Sequence, residues 1–123
     1  MNIRIRAWDE KNKKMVYDVG SFPYQTHVTP AGTIYVIDNK GFELPLMLST
    51  GKLDRDGEEI YEGDIMGGKR LTSSFVYPNM AISWDDSAMT WKTTNGKKTR
   101  TNSTWLATKV MGNIYQNPEL AKA

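Results

Sequence analysis

Apolar and polar positions alternate with a period close to two along much of this chain, which is the pattern of half-buried strands. Ile3, Ile5 and Ala7 fall to one side of a first strand, and Arg4, Arg6 and Trp8 to the other. Residues 9–13 are too polar to pack and form a turn, and residues 14–19 return as a second strand. An N-terminal hairpin is therefore expected. Residues 20–32 carry Pro23 and Pro30 and show no period, so they read as irregular. Residues 33–37 are β-branched and aromatic enough for a strand, stopped by Asp38-Asn39-Lys40-Gly41. Residues 42–49 form another, with Pro45 marking an edge or a bulge.

The stretch from Ser49 to Met66 holds two tight turns. In Asp54-Arg55-Asp56-Gly57 an Asp side chain accepts backbone N–H groups while Gly57 supplies the positive φ that other residues avoid. Glu62-Gly63-Asp64 then reverses the chain into the strand opened by Ile65. Gly57, Gly63 and Asp64 are thus predicted to be structural turn residues. Further on, residues 69–77 read as strand or loop rim, ended by Pro78-Asn79. Residues 80–84 and 89–93 form a hairpin about Asp85-Asp86-Ser87, and Asn95-Gly96 signals a second one. Residues 104–106 and 109–111 resume the β pattern. Asn117-Pro118-Glu119-Leu120 reads as an N-cap, a proline at the first helical position and a short helix. Ile65, Trp84 and Val110 are expected in the core.

Many short strands punctuated by Gly, Asn and Asp turns imply a mainly β fold, a small antiparallel barrel or pseudobarrel with SH3-like elements. With 123 residues the chain fits one domain spanning residues 1–123. It has no cysteine, which removes disulfides, thiol chemistry and cysteine zinc sites and suits a reducing compartment. Neither a signal peptide nor a spanning segment is visible, so the expectation is a cytoplasmic protein without membrane attachment.

The net charge of +2 hides an uneven distribution. Residues 21–66 hold three Lys/Arg against eight Asp/Glu, whereas residues 67–123 hold eight against three. Such opposed segments steer a polyanion to one face or let copies of the chain attract each other.

Three blocks occur in order: Arg6-Ala7-Trp8-Asp9-Glu10-Lys11-Asn12-Lys13-Lys14-Met15, then Thr50-Gly51 through Asp64-Ile65, then Met111-Gly112-Asn113-Ile114-Tyr115-Gln116-Asn117-Pro118-Glu119-Leu120. Together they resemble the YopX family of small phage and prophage proteins, over nearly the whole chain. Lys52 after Gly51, and Leu48-Ser49, depart from the family's usual pattern. The resemblance implies a mostly β protein in the cytoplasm of a bacterial host, with a tendency to self-associate. It brings no reaction, cofactor or catalytic residue.

Candidate chemistry is thin. The carboxylates Asp54, Asp56, Glu58, Glu59, Glu62 and Asp64 invite a hard cation. An EF-hand loop beginning at Asp54 would need Gly and Glu where Glu59 and Ile65 stand, so a solvated turn is the simpler reading. His27, the lone histidine, reads as a loop residue, and no nucleophile elbow, phosphate loop, dinucleotide fingerprint or zinc motif is present. Lys92, Lys97, Lys98 and Arg100 lie near Trp91 and Trp105, a composition suited to single-stranded nucleic acid. The same tryptophans on predicted strands serve equally as core. The expectation is a protein that is not an enzyme, needs no metal or cofactor, and binds protein or itself. A nucleic-acid module built on residues 92–100 is the alternative.

Overall fold

A computed structural model of the chain describes residues 4–69, 74–87, 89–95, 98–100 and 108–121. The fold is mainly β, with a curled, half-barrel sheet and antiparallel pairing between its strands. Contacts along the chain gather into two compact units, Met1–Leu48 and Ser49–Ala123.

The first unit contains β1 (Ile5–Asp9), β2 (Lys14–Val16), β3 (Gln25–Val28), β4 (Ile34–Ile37), β5 (Glu43–Leu44) and the start of β6 (Leu46–Leu53). The N-terminal hairpin forms as expected, with Ala7 opposite Val16 and Asp9 opposite Lys14. Alternation predicts one wet face for β1, yet Arg6, Ala7, Trp8 and Asp9 are all buried. Asp9 is held there by hydrogen bonds. Asp9 Oδ1 accepts the Asn12 N–H at 3.0 Å, closing the turn, and Asp9 Oδ2 accepts the Tyr24 hydroxyl at 2.6 Å. The apolar core of this unit is Ala7, Val16, Val19, Tyr24, Val36 and Leu44.

Residues 20–32 are not irregular throughout, because β3 lies inside them and pairs with β4 in unbroken register from Gln25–Ile37 to Val28–Ile34. The hairpin closes through Thr29 and Gly32, the latter at φ 86°, where a residue with a side chain would be strained. Two prolines masked this strand in the sequence, since both fall outside the four paired residues. Pro45 separates β5 from β6, and its carbonyl accepts the Trp8 N–H at 3.0 Å.

The second unit continues β6 and adds β7 (Glu59–Tyr61), β8 (Asp64–Lys69), β9 (Val76–Asp85), β10 (Thr90–Asn95), β11 (Lys98–Arg100) and β12 (Lys109–Asn113). Its main sheet runs β11-β10-β9-β8-β12. The expected C-terminal helix is a single 3-10 turn, Pro118–Ala121, with the Asn117 carbonyl accepting the Leu120 N–H. Ile60, Met66 and Ile82 form the core, with half-buried Trp91 and Val110 packed on it.

Two sequence expectations change here. Pro78-Asn79 does not end a strand, because β9 runs through both; the register against β8 shifts between Met66 and Gly68, and an irregularity of this kind accommodates a proline. Trp84 is not core but 39% exposed. It stands one position from the Asp85–Thr90 pair that closes the hairpin, past the end of the Ile60–Met66–Ile82 cluster, and meets Trp91 edge-on at 5.2 Å. The strand expected at residues 104–106, including Trp105, lies outside the described residues.

Candidate functional site

The acidic run of the second unit is spent on backbone. Asp54, 3% exposed, accepts the N–H groups of Asp56 and Glu58 on Oδ1 at 2.9 and 2.8 Å, and that of Val110 on Oδ2 at 2.9 Å. Three N–H donors thus take up most of the acceptor capacity of this one carboxylate. Gly57 and Gly63 sit at φ 83° and 88°, and buried Asp64 accepts the Tyr61 N–H at 2.8 Å. Among the described residues no group of three or more His, Asp or Glu is placed to hold a metal ion.

A cleft of about 310 Å³ opens in the first unit over Trp8, Phe42 and Leu44, with Asp9, Glu10 and Asp38 at its rim. Asp9 is occupied by Asn12 and Tyr24; burial works to raise its carboxyl, but the bonds from Tyr24 and Asn12 outweigh it and hold the group below the usual carboxylate range. Glu10 takes the Trp8 indole N–H at 2.6 Å and pairs with Lys13, which together lower its carboxyl. Asp38 Oδ1 accepts the N–H groups of Lys40 and Phe42. Asp9 and Asp38 thus organise turns.

The basic residues are only partly brought together. Lys92 lies on β10, and Lys98 and Arg100 on β11, two strands paired through Thr93–Arg100 and Asn95–Lys98. Lys97 lies outside the described residues. Trp91, the aromatic next to Lys92, is half-buried and packed against the core.

Reading the sequence for motifs missed the outer edge of β3. Residues 19–37 contain no Asp, Glu, Lys or Arg, the longest such run in a chain that is 24% charged, and they make the β3–β4 hairpin. Among the described residues β3 borders its sheet, with β4 as its one strand neighbour, and Gln25, Thr26 and Val28 are exposed. Nearby Phe22 is 89% exposed and Val28 65%. His27 is half-buried because its ring stacks on Tyr35 opposite, centroids 5.2 Å apart.

The direction of the edge groups follows from the turn. Thr29 donates its N–H to the Thr33 carbonyl, so that opposed pair is hydrogen-bonded, and alternation makes His27–Tyr35 and Gln25–Ile37 bonded pairs as well. Thr26 and Val28 are then the non-bonded pairs. Their N–H and C=O groups point away from β4, out of the sheet. Proteins ordinarily guard such an edge with charge, proline, a bulge or brevity. The other border strands among the described residues carry such a device in their sequence: Lys14 in β2, a two-residue length in β5, Glu59 in β7, Lys98 and Arg100 in β11, and Lys109 with a register shift in β12. The four residues of β3 carry no such device.

The sequence model of the YopX protein family matches residues 4–122. The crystal structure of protein EF1440 from Enterococcus faecalis is similar with a TM-score of 0.65 and 25% identity, over 99% of this chain and 99% of that one. Comparison with curated proteins gives no match. No helix among the described residues is long and apolar enough to cross a membrane.

Proposed function

The chain belongs to the YopX family, and from that premise we propose that it is a non-enzymatic binding protein, acting through protein–protein contact in the cytoplasm of a bacterial host. The observation that carries this reading is the uncharged, unguarded outer edge of β3. Charged residues are depleted at the centre of protein interfaces, whereas a nucleic-acid surface needs cations that residues 19–37 lack. Strand addition to an open edge supplies affinity through backbone bonds and requires no preformed pocket. The commitment of Asp9, Asp54 and Asp64 to turns and backbone supports the non-enzymatic half of the reading.

The test is capture on immobilised protein with nuclease treatment, comparing the native chain with Thr26→Pro. Thr26 directs its N–H outward, so proline there blocks the edge without removing a β3–β4 bond. Proteins retained by the native chain after nuclease, and released by Thr26→Pro, are expected. Retention that disappears with nuclease, or turnover of a substrate by the purified protein, would overturn the reading.

A further inference from the structure

We propose that the outer edge of β3 pairs with the same edge of a second copy, antiparallel about a twofold axis that passes between the two His27 residues. This rests on the protein-binding reading and names the partner.

The outward groups fix the register. Only Thr26 and Val28 direct N–H and C=O away from β4, so bonded pairs across the new interface can form only between these two positions. Placing Thr26 opposite the partner's Val28, and Val28 opposite the partner's Thr26, forms two bonded pairs. Each exchanges two N–H···O bonds, and all four outward groups of each copy are satisfied. The alternatives, Thr26 on its own counterpart or Val28 on its own counterpart, form one bonded pair in these four residues. The favoured register places His27 opposite its counterpart as a non-bonded pair, where Cα atoms approach to about 4.5 Å.

Self-pairing is favoured over an unrelated peptide by what each requires of the residues. A dyad sets the residue it passes through against its own like, so an edge that pairs with itself is uncharged at that central position. β3 and its flanks from residue 19 to residue 37 meet that condition, whereas the edges at β2, β7, β11 and β12 carry Lys, Arg or Glu. Exposed Val28 gains an apolar position beside the methyl of the partner's Thr26. Four backbone bonds over so short a strand make a weak, concentration-dependent dimer.

Because the chain has no cysteine, a single introduced thiol reports the register directly. His27→Cys lies on the dyad, within the Cα separation a disulfide requires, while Gln25→Cys is displaced along the strand from its counterpart by about 14 Å. Under mild oxidation His27→Cys is expected to form disulfide dimers at least tenfold faster than Gln25→Cys, and adding Thr26→Pro is expected to abolish the difference. In sedimentation, the native protein is expected to show a concentration-dependent dimer that His27→Lys, which sets like charges face to face, dissociates. Equal crosslinking at both positions, or a monomer throughout the concentration range, would overturn the proposal. Should Thr26→Pro fail to fold, the ratio between the two cysteine variants still decides. A monomer that nonetheless loses a captured protein on Thr26→Pro would end self-pairing and leave the protein-binding reading standing; loss of both would end both.

Discussion

The Asp54 carboxylate holds the Val110 N–H at 2.9 Å across 56 positions of sequence, so the turn of the acidic run is what anchors the start of β12. Arg55 reinforces the link by donating its N–H to the Thr108 carbonyl at 3.1 Å. Replacing Asp54 by Ala leaves three N–H groups without this acceptor, each costing about 1–3 kcal/mol where water is excluded. Part of that returns through relaxation, so Asp54→Ala is expected to lower stability by about 3 kcal/mol and Asp54→Asn by less, since one oxygen acceptor remains. Urea denaturation checks both. A cost below that of an ordinary surface substitution would show that the carboxylate is dispensable.

Gly112 and Asn117 form the second such lock. A Cβ on Gly112 would come within 2.3 Å of Asn117 Oδ1 and 2.7 Å of its Cγ. Gly112→Ala therefore has to expel the Asn117 side chain, which caps the Asn113 N–H at 3.3 Å. The expected cost is about 2 kcal/mol or more, in the range for overpacking. In combination with Asn117→Ala the alanine at 112 should cost much less, because the clashing atoms are gone. A double-mutant cycle reads this as a coupling of about 1 kcal/mol or more; strictly additive losses would mean that the clash relaxes elsewhere.

These two locks explain why the three blocks were legible as a family while the outer edge of β3 was not. Arg6 through Asp9 are buried, Asp54 and Asp64 tie up backbone donors, and Asn113 closes the last turn by accepting from Tyr115 and Gln116. Each needs one residue type at one place, so each leaves a mark on a single sequence. The turns and most strands were read correctly for the same reason. Trp84 and β3 were misread because their state depends on neighbours: the tryptophan on where the core ends, the strand on a pairing that Pro23 and Pro30 obscured. The outer edge of β3 carries no motif at all. Its signal is the absence of charge over residues 19–37, visible only once that segment is known to border a sheet.

The Asp9–Tyr24 pair couples the first unit to pH at both ends of the scale. Tyr24 is pushed up to about 12 by burial first, then by its bond to Asp9 and that residue's charge. A group whose folded value is raised contributes stability that is fully present below its unfolded value near 10 and lost as pH climbs through the folded value. Asp9 shifts the opposite way, so its contribution is present above the unfolded carboxylate value and lost as pH falls through the lower folded one. Native protein compared with Tyr24→Phe should differ most at neutral pH, and the difference should shrink between pH 10 and 12. A constant difference across that interval would refute the linkage.

Trp84 and Trp91 meet edge-on with centroids 5.2 Å apart, but only Trp91 is packed on Ile60, Met66 and Ile82. Truncating it opens a core cavity, and Trp91→Ala is expected to cost about 3–5 kcal/mol, whereas half-exposed Trp84→Ala should cost about 1 kcal/mol. The same asymmetry bears on the nucleic-acid alternative. Base stacking requires an aromatic face open to the strand, and half-buried Trp91 beside Lys92 spends part of its surface on Ile60, Met66 and Ile82. Single-stranded oligonucleotide at low salt should therefore leave tryptophan emission unchanged in the native protein and in a variant carrying Lys92→Glu, Lys97→Glu, Lys98→Glu and Arg100→Glu. Saturable quenching that the four substitutions remove would instead establish the basic hairpin as a nucleic-acid surface and displace the outer edge of β3 as the proposed binding site.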